Sequence, residues 1–330
     1  MSSESELIPY HAARNVGQGS ALVLAPHPDD EVFGCAGAIL RHAAMGDPIR
    51  VIILTDGGGW QADDVERAAY VAQRRQESRE AAAILGYGEP EFWEYRDREL
   101  SCGEPLMQRL CEAVAASDAR WLYAPSPYEL HPDHRALALA ALEVAHRLAG
   151  RIKLAFYEIG APLPPNRLLD ITDLIERKRR ALACFASQLA TQAYDRHVEA
   201  LNRFRTYTLP REVEAAEAYW VIEGSEAAGI LPTLQAAVAA WWRVVDVPVA
   251  KPLQARRDAD SRAGEDRERE LQAQLETQRA EIARIDREWR DRYEWITTSR
   301  SWRLTAPLRD GARWLRERRD RLAELLARWT

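Results

Sequence analysis

Short runs of leucine and β-branched residues alternate with longer amphipathic stretches through the first half of the chain, and that alternation admits few folds. Ala21–Ala25, Arg50–Thr55, Glu91–Tyr95, Trp121–Ala124 and Ile152–Glu158 read as strands, each a short apolar run between turn-forming residues. Glu31–Met45, Val65–Leu85, Leu106–Ala116 and Asp133–Leu148 lie between them, carry apolar residues three and four apart, and read as helices. Such a succession makes a parallel sheet with helices on both faces. The expected fold class is therefore α/β, with a doubly wound, mostly parallel, Rossmann-like sheet. Beyond it the pattern predicts an extended piece at Leu168–Ile171, a long helix from Asp173 to about Ser187, a polar helical stretch through Arg205 and a strand at Tyr219–Ile222.

Composition decides where that domain ends. With 330 residues, 47% hydrophobic and 29% charged, the chain is neither disordered nor embedded in a membrane. Its net charge of −6 averages two unlike parts: residues 255–330 carry 19 Arg against 16 acids, whereas residues 1–254 are strongly acidic. Five of the eleven Trp (Trp289, Trp295, Trp302, Trp314, Trp329) fall in the last 42 residues. The expected division is residues 1–224 as the α/β domain, 225–254 as a helical connector, 255–296 as a short coiled-coil-like helix and 297–330 as a basic amphipathic segment. Cys35, Cys102, Cys111 and Cys184 form no CxxC pair, and MSSESELIPY lacks the basic and apolar regions of a signal peptide, so a reduced, cytoplasmic protein is expected.

Leu271, Leu275, Gln278, Ile282, Ile285, Trp289, Arg292 and Ile296 follow a heptad seam broken at Gln278 and Arg292. Two readings stand, a solvated helix packed on its own domain and a self-associating coiled coil that makes a homo-oligomer. In residues 299–330 nine Arg face four acids, and Leu308, Ala312, Leu315, Leu322, Leu326 and Trp329 form one apolar stripe. That pattern suits an interfacial helix at the inner face of a membrane, or equally a helix packed on a partner protein. Nucleic acid is not expected, because the basic excess is small and no recognition fold accompanies it.

Chemistry concentrates at two strand-to-helix junctions. His27-Pro28-Asp29-Asp30-Glu31 follows the first predicted strand, where α/β sheets place their sites. His27 and Asp30, three residues apart at the turn into a helix, can converge on one point, and imidazole with carboxylate is an ordinary divalent-metal pair. Alone, the cluster reads as well as a helix cap. His131-Pro132-Asp133-His134 changes the weighting, because it opens another helix after another strand, and His134 completes a His/Asp/His set with open positions for water and substrate. Asp29 then faces the same cavity, and His131 is available as an acid or oxyanion partner. His11, His42, His146 and His197 lack such carboxylate companions and read as surface or satisfied core residues.

The two motifs together resemble the PIG-L/LmbE family of zinc-dependent de-N-acetylases. Arg74 and Glu77 with Leu85-Gly86 are similar to that family's RxxE…LG helix, Asp97 to its substrate-contacting Asp, and Lys178, Ser187-Gln188 and Ala216-Glu217-Ala218 to its later part. The resemblance covers about residues 17–224. It implies an LmbE-like fold in which His27, Asp30 and His134 bind Zn²⁺, or another divalent ion such as Fe²⁺. It also implies Asp29 as general base and a cationic His131 that holds the oxyanion or protonates the leaving amine. Arg74 and Asp97 would bind sugar hydroxyls, or else form a helix-to-loop ion pair. Asp56-Gly57-Gly58-Gly59 lacks phosphate-cradle spacing and reads as a flexible active-site loop, with Trp60 shaping the entrance.

Residues 301–309, Ser-Trp-Arg-Leu-Thr-Ala-Pro-Leu-Arg, resemble a C-terminal segment of surface-polysaccharide assembly proteins. The implied reaction is removal of acetyl from an N-acetylated amino sugar, a glycan or lipid-linked intermediate, with assembly proteins or the membrane as partners of the tail. The alternatives are an amidase acting on another N-acyl substrate and a catalytically idle metal-binding scaffold.

Overall fold

The computed structural model describes residues 8–59, 64–148 and 150–245, and in the tail residues 276, 277, 279, 280 and 284. The chain divides into two compact units, Met1–Val247 and Pro248–Thr330. In the second unit the described residues are helical and exposed. Trp60, the heptad seam as a whole and the resembling segment 301–309 lie outside the described residues.

In the first unit the chain order is β1 (Ala12–Ala13), β2 (Ala21–Ala25), α1 (Asp30–Met45), β3 (Ile49–Thr55), α2 (Asp64–Leu85), β4 (Glu91–Tyr95), α3 (Glu104–Ala116), β5 (Trp121–Pro125) and α4 (Pro132–Arg147). It continues through β6 (Lys153–Tyr157), β7 (Arg167–Asp170), a 3-10 turn at Thr172–Leu174, α5 (Ile175–Leu182), α6 (Ala186–Leu189), α7 (Tyr194–Phe204), β8 (Ala216–Glu223) and α8 (Ala227–Val245). One eight-stranded sheet runs in the order β1-β7-β8-β6-β5-β2-β3-β4. Every neighbour pair is parallel except the two that β8 makes, with β6 and with β7. The doubly wound, mostly parallel sheet expected from the alternation is present.

The central strands β2 and β5 are buried on both sides because both faces are covered. Val23 and Ala25 of β2 pack with α1, α2 and α5, while Leu22 and Leu24 of the same strand face α3, α4 and α8. Gly34 and Gly37 let α1 lie close on the sheet: a Cβ at Gly34 would come within 2.2 Å of the Tyr157 ring. Beneath that helix Lys178 and Glu217 form a buried ion pair of 2.7 Å, with Lys178 also donating to the Phe33 carbonyl and Glu217 accepting from the Gly37 N–H.

Two expectations change. The long helix from Asp173 to Ser187 is broken after α5, where Phe185 turns fully into the core against Phe33, and Ser187 donates through its N–H and hydroxyl to Glu77. A continuous helix would forfeit both. The strand foreseen at Tyr219–Ile222 begins earlier, at Ala216, because it pairs on both edges. All four cysteines are free thiols. Among the described residues no helix is long and apolar enough to cross a membrane.

Candidate metal centre and active site

From β2 the chain winds outward one way to β3 and β4, then returns to β5 on the other side of β2 and continues to β6. The carboxyl ends of β2 and β5 therefore flank the point where strand order reverses, which is where open α/β sheets bind ligands. His27 to Asp30 leave β2 there, and His131 to His134 leave β5 beside them.

The side chains meet. His27 Nδ1 lies 3.0 Å from Asp30 Oδ2 and 3.1 Å from His134 Nε2, and His134 Nε2 lies 3.1 Å from the same Asp30 oxygen. Bonds of about 2.0–2.1 Å in a tetrahedral zinc site place donors roughly 3.3 Å apart, so this near-equilateral triangle fits one small divalent ion. The three residues are buried. His131 also comes within ligand range of His27 and His134. Its Nδ1, however, accepts the Asp133 N–H as a helix cap, and Asp30 supplies the tighter third donor.

An outer layer fixes these rings. His27 Nε2 lies 3.1 Å from Asp133 Oδ2, the carboxylate–imidazole arrangement that sets tautomer and orientation in metal sites. Asp133 is fully buried and accepts the N–H groups of Arg98 (2.7 Å) and Leu100 (3.2 Å). Glu129 accepts the Ile159 N–H at 2.7 Å and brings Oε2 to 3.8 Å from His134 Nδ1, a buried nitrogen with no hydrogen-bond partner. Against burial, the charge and hydrogen bonds of His134 and His27 hold the Asp30 carboxyl well below the usual carboxylate range.

Asp29 sits at the N-cap of α1 with φ of 137°, a conformation that costs an ordinary residue about 1–3 kcal/mol. Its surroundings hold it there: its N–H donates to Glu31 Oε2 at 3.1 Å, and Arg74 Nη2 donates to its Oδ2 at 2.8 Å. Burial pushes the Asp29 carboxyl up to about 7, with the Arg74 charge opposing and the Asp30 charge adding to the rise. Arg74 also donates to the carbonyls of Pro28 and Gly57. Gly57 has φ of +58°, and a Cβ there would meet Arg74 Nη1 at 2.5 Å, so only glycine closes this loop. The glycine segment is pinned: Gly58 N–H donates to Asp56 at 2.9 Å and Gly59 N–H to Asp97 at 3.1 Å. It borders the site as expected, but as a tethered turn.

Arg74 is buried and its helix-to-loop ion pair is with Asp29, not with Asp97, and both Arg74 and Asp97 line the cavity. Asp97 Oδ1 stands 3.5 Å from both His27 Nε2 and His131 Nε2. Burial, together with the charges of His27 and His134, lowers His131 to about 4. All seven residues foreseen for the site line one cavity of about 900 Å³.

Four contributors escaped the sequence reading in these roles. Asp133 and Glu31 were in plain view inside the two motifs, and their acidic character next to ligands was the available signal. Glu129 is held by a loop about thirty residues along the chain, with no local signal. His197, foreseen as a surface or core residue, lines the same cavity, whereas His42 is satisfied in the core by Asp47 (2.8 Å) and the Tyr123 hydroxyl (2.9 Å).

Fold and site together define an α/β protein with a buried His/Asp cluster compatible with a metal ion and an adjacent buried carboxylate. Residues 22–145 match the family profile PIG-L, GlcNAc-PI de-N-acetylase. A probable N-acetyl-alpha-D-glucosaminyl L-malate deacetylase 2 of Bacillus anthracis is 30% identical over 190 residues, covering 52% of this chain and 82% of that protein. The solved N,N'-diacetylchitobiose deacetylase of Pyrococcus horikoshii is 26% identical with a TM-score of 0.55, covering 63% of this chain and 85% of that one. A 4-oxalmesaconate hydratase of Pseudomonas putida is also similar, 28% identical over 196 residues, 53% of this chain and 76% of that protein. The chain belongs to the PIG-L family, as an enzyme of its metal-dependent de-N-acetylase class.

Proposed function

We propose that this chain is a zinc-dependent hydrolase that removes acetyl from an N-acetylated amino sugar, a glycan or lipid-linked intermediate of surface-polysaccharide assembly. The observation that carries the reading is the convergence of His27 Nδ1, Asp30 Oδ2 and His134 Nε2 within 3.1 Å, with the Asp29 carboxylate beside them. The amino-sugar substrates named for two of the relatives support the substrate class. The segment 301–309 supports the assembly context.

A divalent ion held by His27, Asp30 and His134 supplies Lewis acidity, which brings the pKa of water near 7 and polarises the amide carbonyl. Asp29 takes the proton from the attacking water, and a carboxylate poised near neutrality is suited to accept it and pass it on. Arg74 holds that carboxylate in place and keeps one oxygen engaged. His131 caps α4 through Nδ1, so in its neutral form Nε2 carries the proton and points at Asp97. From there it donates a hydrogen bond to the amide oxygen as charge develops, while Asp29 gives the proton taken from water to the nitrogen as the C–N bond breaks, so His131 stays neutral with Asp97 beside its Nε2–H.

The test combines metal analysis of the purified chain with acetate release from N-acetylhexosamines, free, nucleotide-linked and lipid-linked, for wild type and Asp29→Ala. The reading expects one zinc per chain in both proteins and acetate from wild type alone. Stoichiometric zinc without acetate from any of these sugars, where a related deacetylase is active, would overturn it in favour of the scaffold.

A further inference from the structure

Helix α7 borders two cavities with opposite faces. Tyr194, His197, Val198, Leu201 and Phe204 line the catalytic one. Arg196, Glu199, Asn202 and Arg203, on the other side of the helix, line a second cavity of about 360 Å³ between α5, α7 and the start of β8. Among the described residues the two linings have only Ala200 in common. The floor of the second cavity is apolar: Ile171, Leu182 and Ala215 are buried and Ile175 is half-buried. Into that lining comes Asn202, 6% exposed, and no described residue hydrogen-bonds its amide. A buried amide without a partner costs stability that an apolar residue of the same size would not, so the position calls for something that the amide binds.

The charges around that amide are unequal. Two nearby arginines are committed: Arg205 to Glu158, and Arg179 to Glu176 and, through two hydrogen bonds of 2.9 and 3.1 Å, to Glu199. Lys178 is neutralised by Glu217 at 2.7 Å. Arg196 and Arg203, two helical turns apart on one face of α7, have no partner among the described residues. Glu214, exposed on the same lining, is likewise without a described partner, so the uncommitted charge of the cavity is positive. Guanidinium groups and a buried amide donor above an apolar floor suit a carboxylate or phosphate that carries a small body. The volume lies at the lower end of the usual 300–1,000 Å³ for ligand pockets, which sets the size of that body.

The geometry points to a second, non-catalytic site on α7 for a small organic anion, held by Arg196, Arg203 and the Asn202 amide with its body against Ile171, Ile175 and Leu182. The anionic group is a carboxylate or a phosphate monoester, two sources of the same recognition chemistry. No group of the metal centre takes part, so the site stands independently of the reaction proposed for the first cavity.

Calorimetry on the full, metal-loaded chain titrates butyrate, glucose 6-phosphate and, as the uncharged control, butanamide. One saturable site is expected for butyrate or glucose 6-phosphate and none for butanamide, and the tighter of the two anions identifies the group recognised. A hydrogen bond to a charged group is worth about tenfold or more in affinity. Arg196→Gln and Arg203→Gln therefore each weaken binding about tenfold. Asn202→Leu does the same, yet unfolds at a denaturant concentration equal to or above that of the wild type, which an asparagine kept for structure would not allow. Arg180→Gln, an exposed arginine of α5 off the lining, leaves the affinity unchanged. The metal centre also attracts such anions, so the titration is repeated after chelation, where binding to the α7 site persists. Binding that vanishes with the metal, or that is indifferent to Arg203→Gln and Asn202→Leu, belongs to the catalytic cavity and overturns the inference. So does the absence of saturable binding of either anion up to about 10 mM, which would leave the Asn202 amide to ordered water.

Discussion

The two junctions that build the site do the same job by opposite means. At the end of β5, His131 adopts an ordinary extended conformation (φ −72°), Pro132 opens the helix, and the His131 ring caps the helix itself. At the end of β2, Asp29 is held at φ 137° and has no side-chain cap bond to its own helix. It depends on Arg74 from α2 and on Glu31 instead. The regular junction presents one of the three converging donors, His134, on a turn that caps itself. The strained one presents the other two, His27 and Asp30, together with the Asp29 carboxylate, whose geometry is maintained by Arg74 of α2 and by Glu31.

The largest effect that separates them comes from Asp29→Asn. Loss of the general base lowers kcat about 10²–10⁴-fold while zinc content stays at one per chain, read by steady-state kinetics beside metal analysis. Loss of the metal together with the activity would make Asp29 a ligand and dissolve the contrast. Next comes Arg74→Met, which leaves a buried carboxylate without its partner. Breaking such a pair costs about 3–5 kcal/mol, measured by denaturant unfolding of the metal-free protein. A cost below about 1 kcal/mol would mean that the strained junction supports itself.

Smaller again is Asp133→Asn, which weakens the partner of His27 Nε2 across the two junctions. Metal affinity falls about 10–100-fold by competition with a chelator, while the fold is retained. Unchanged affinity would show that the β5 junction does not tune the β2 ligand.

The smallest effect contrasts the site histidines with His42, which serves only the core. Burial lowers its pKa below 6.5, with the Asp47 hydrogen bond opposing, so below that value the unfolded chain takes up the proton more readily than the folded one. Stability is therefore complete above pH 6.5 and declines as pH falls toward the folded pKa, by about 1.4 kcal/mol for each unit of depression. Unfolding free energies of wild type and His42→Gln between pH 7 and 5 should differ in slope, with the wild type steeper. Equal slopes would remove the distinction.

Legibility in the sequence followed how local the cause was. The strands β2 and β4 match their expected limits, β2 as a fully buried run and β4 as an edge strand in which only Trp93 is buried. The convergence of His27, Asp30 and His134 was legible because both junctions place histidine and carboxylate within one helical turn. Two-residue β1 has no pattern to read and exists only by pairing with β7. The break after α5 was hidden because Phe185 and Ser187 answer to Phe33 and Glu77, distant in sequence. The face of α7 that borders the cavity, with Tyr194, Val198, Leu201 and Phe204, was masked by polar composition, since it carries only every third or fourth residue.

The proposed ligands leave two strands that lie side by side, with Ala21 opposite Trp121, although about a hundred residues of chain separate them. An ion seated on His27, Asp30 and His134 is then a reversible cross-link between the first and second windings of the sheet. Because the unfolded chain has no such site, every tenfold excess of free metal over its dissociation constant adds about 1.4 kcal/mol to folding. Metal supply would thus govern how long the polypeptide resists proteolysis as well as how fast it turns over, and a starved cell would lose the enzyme itself along with its activity.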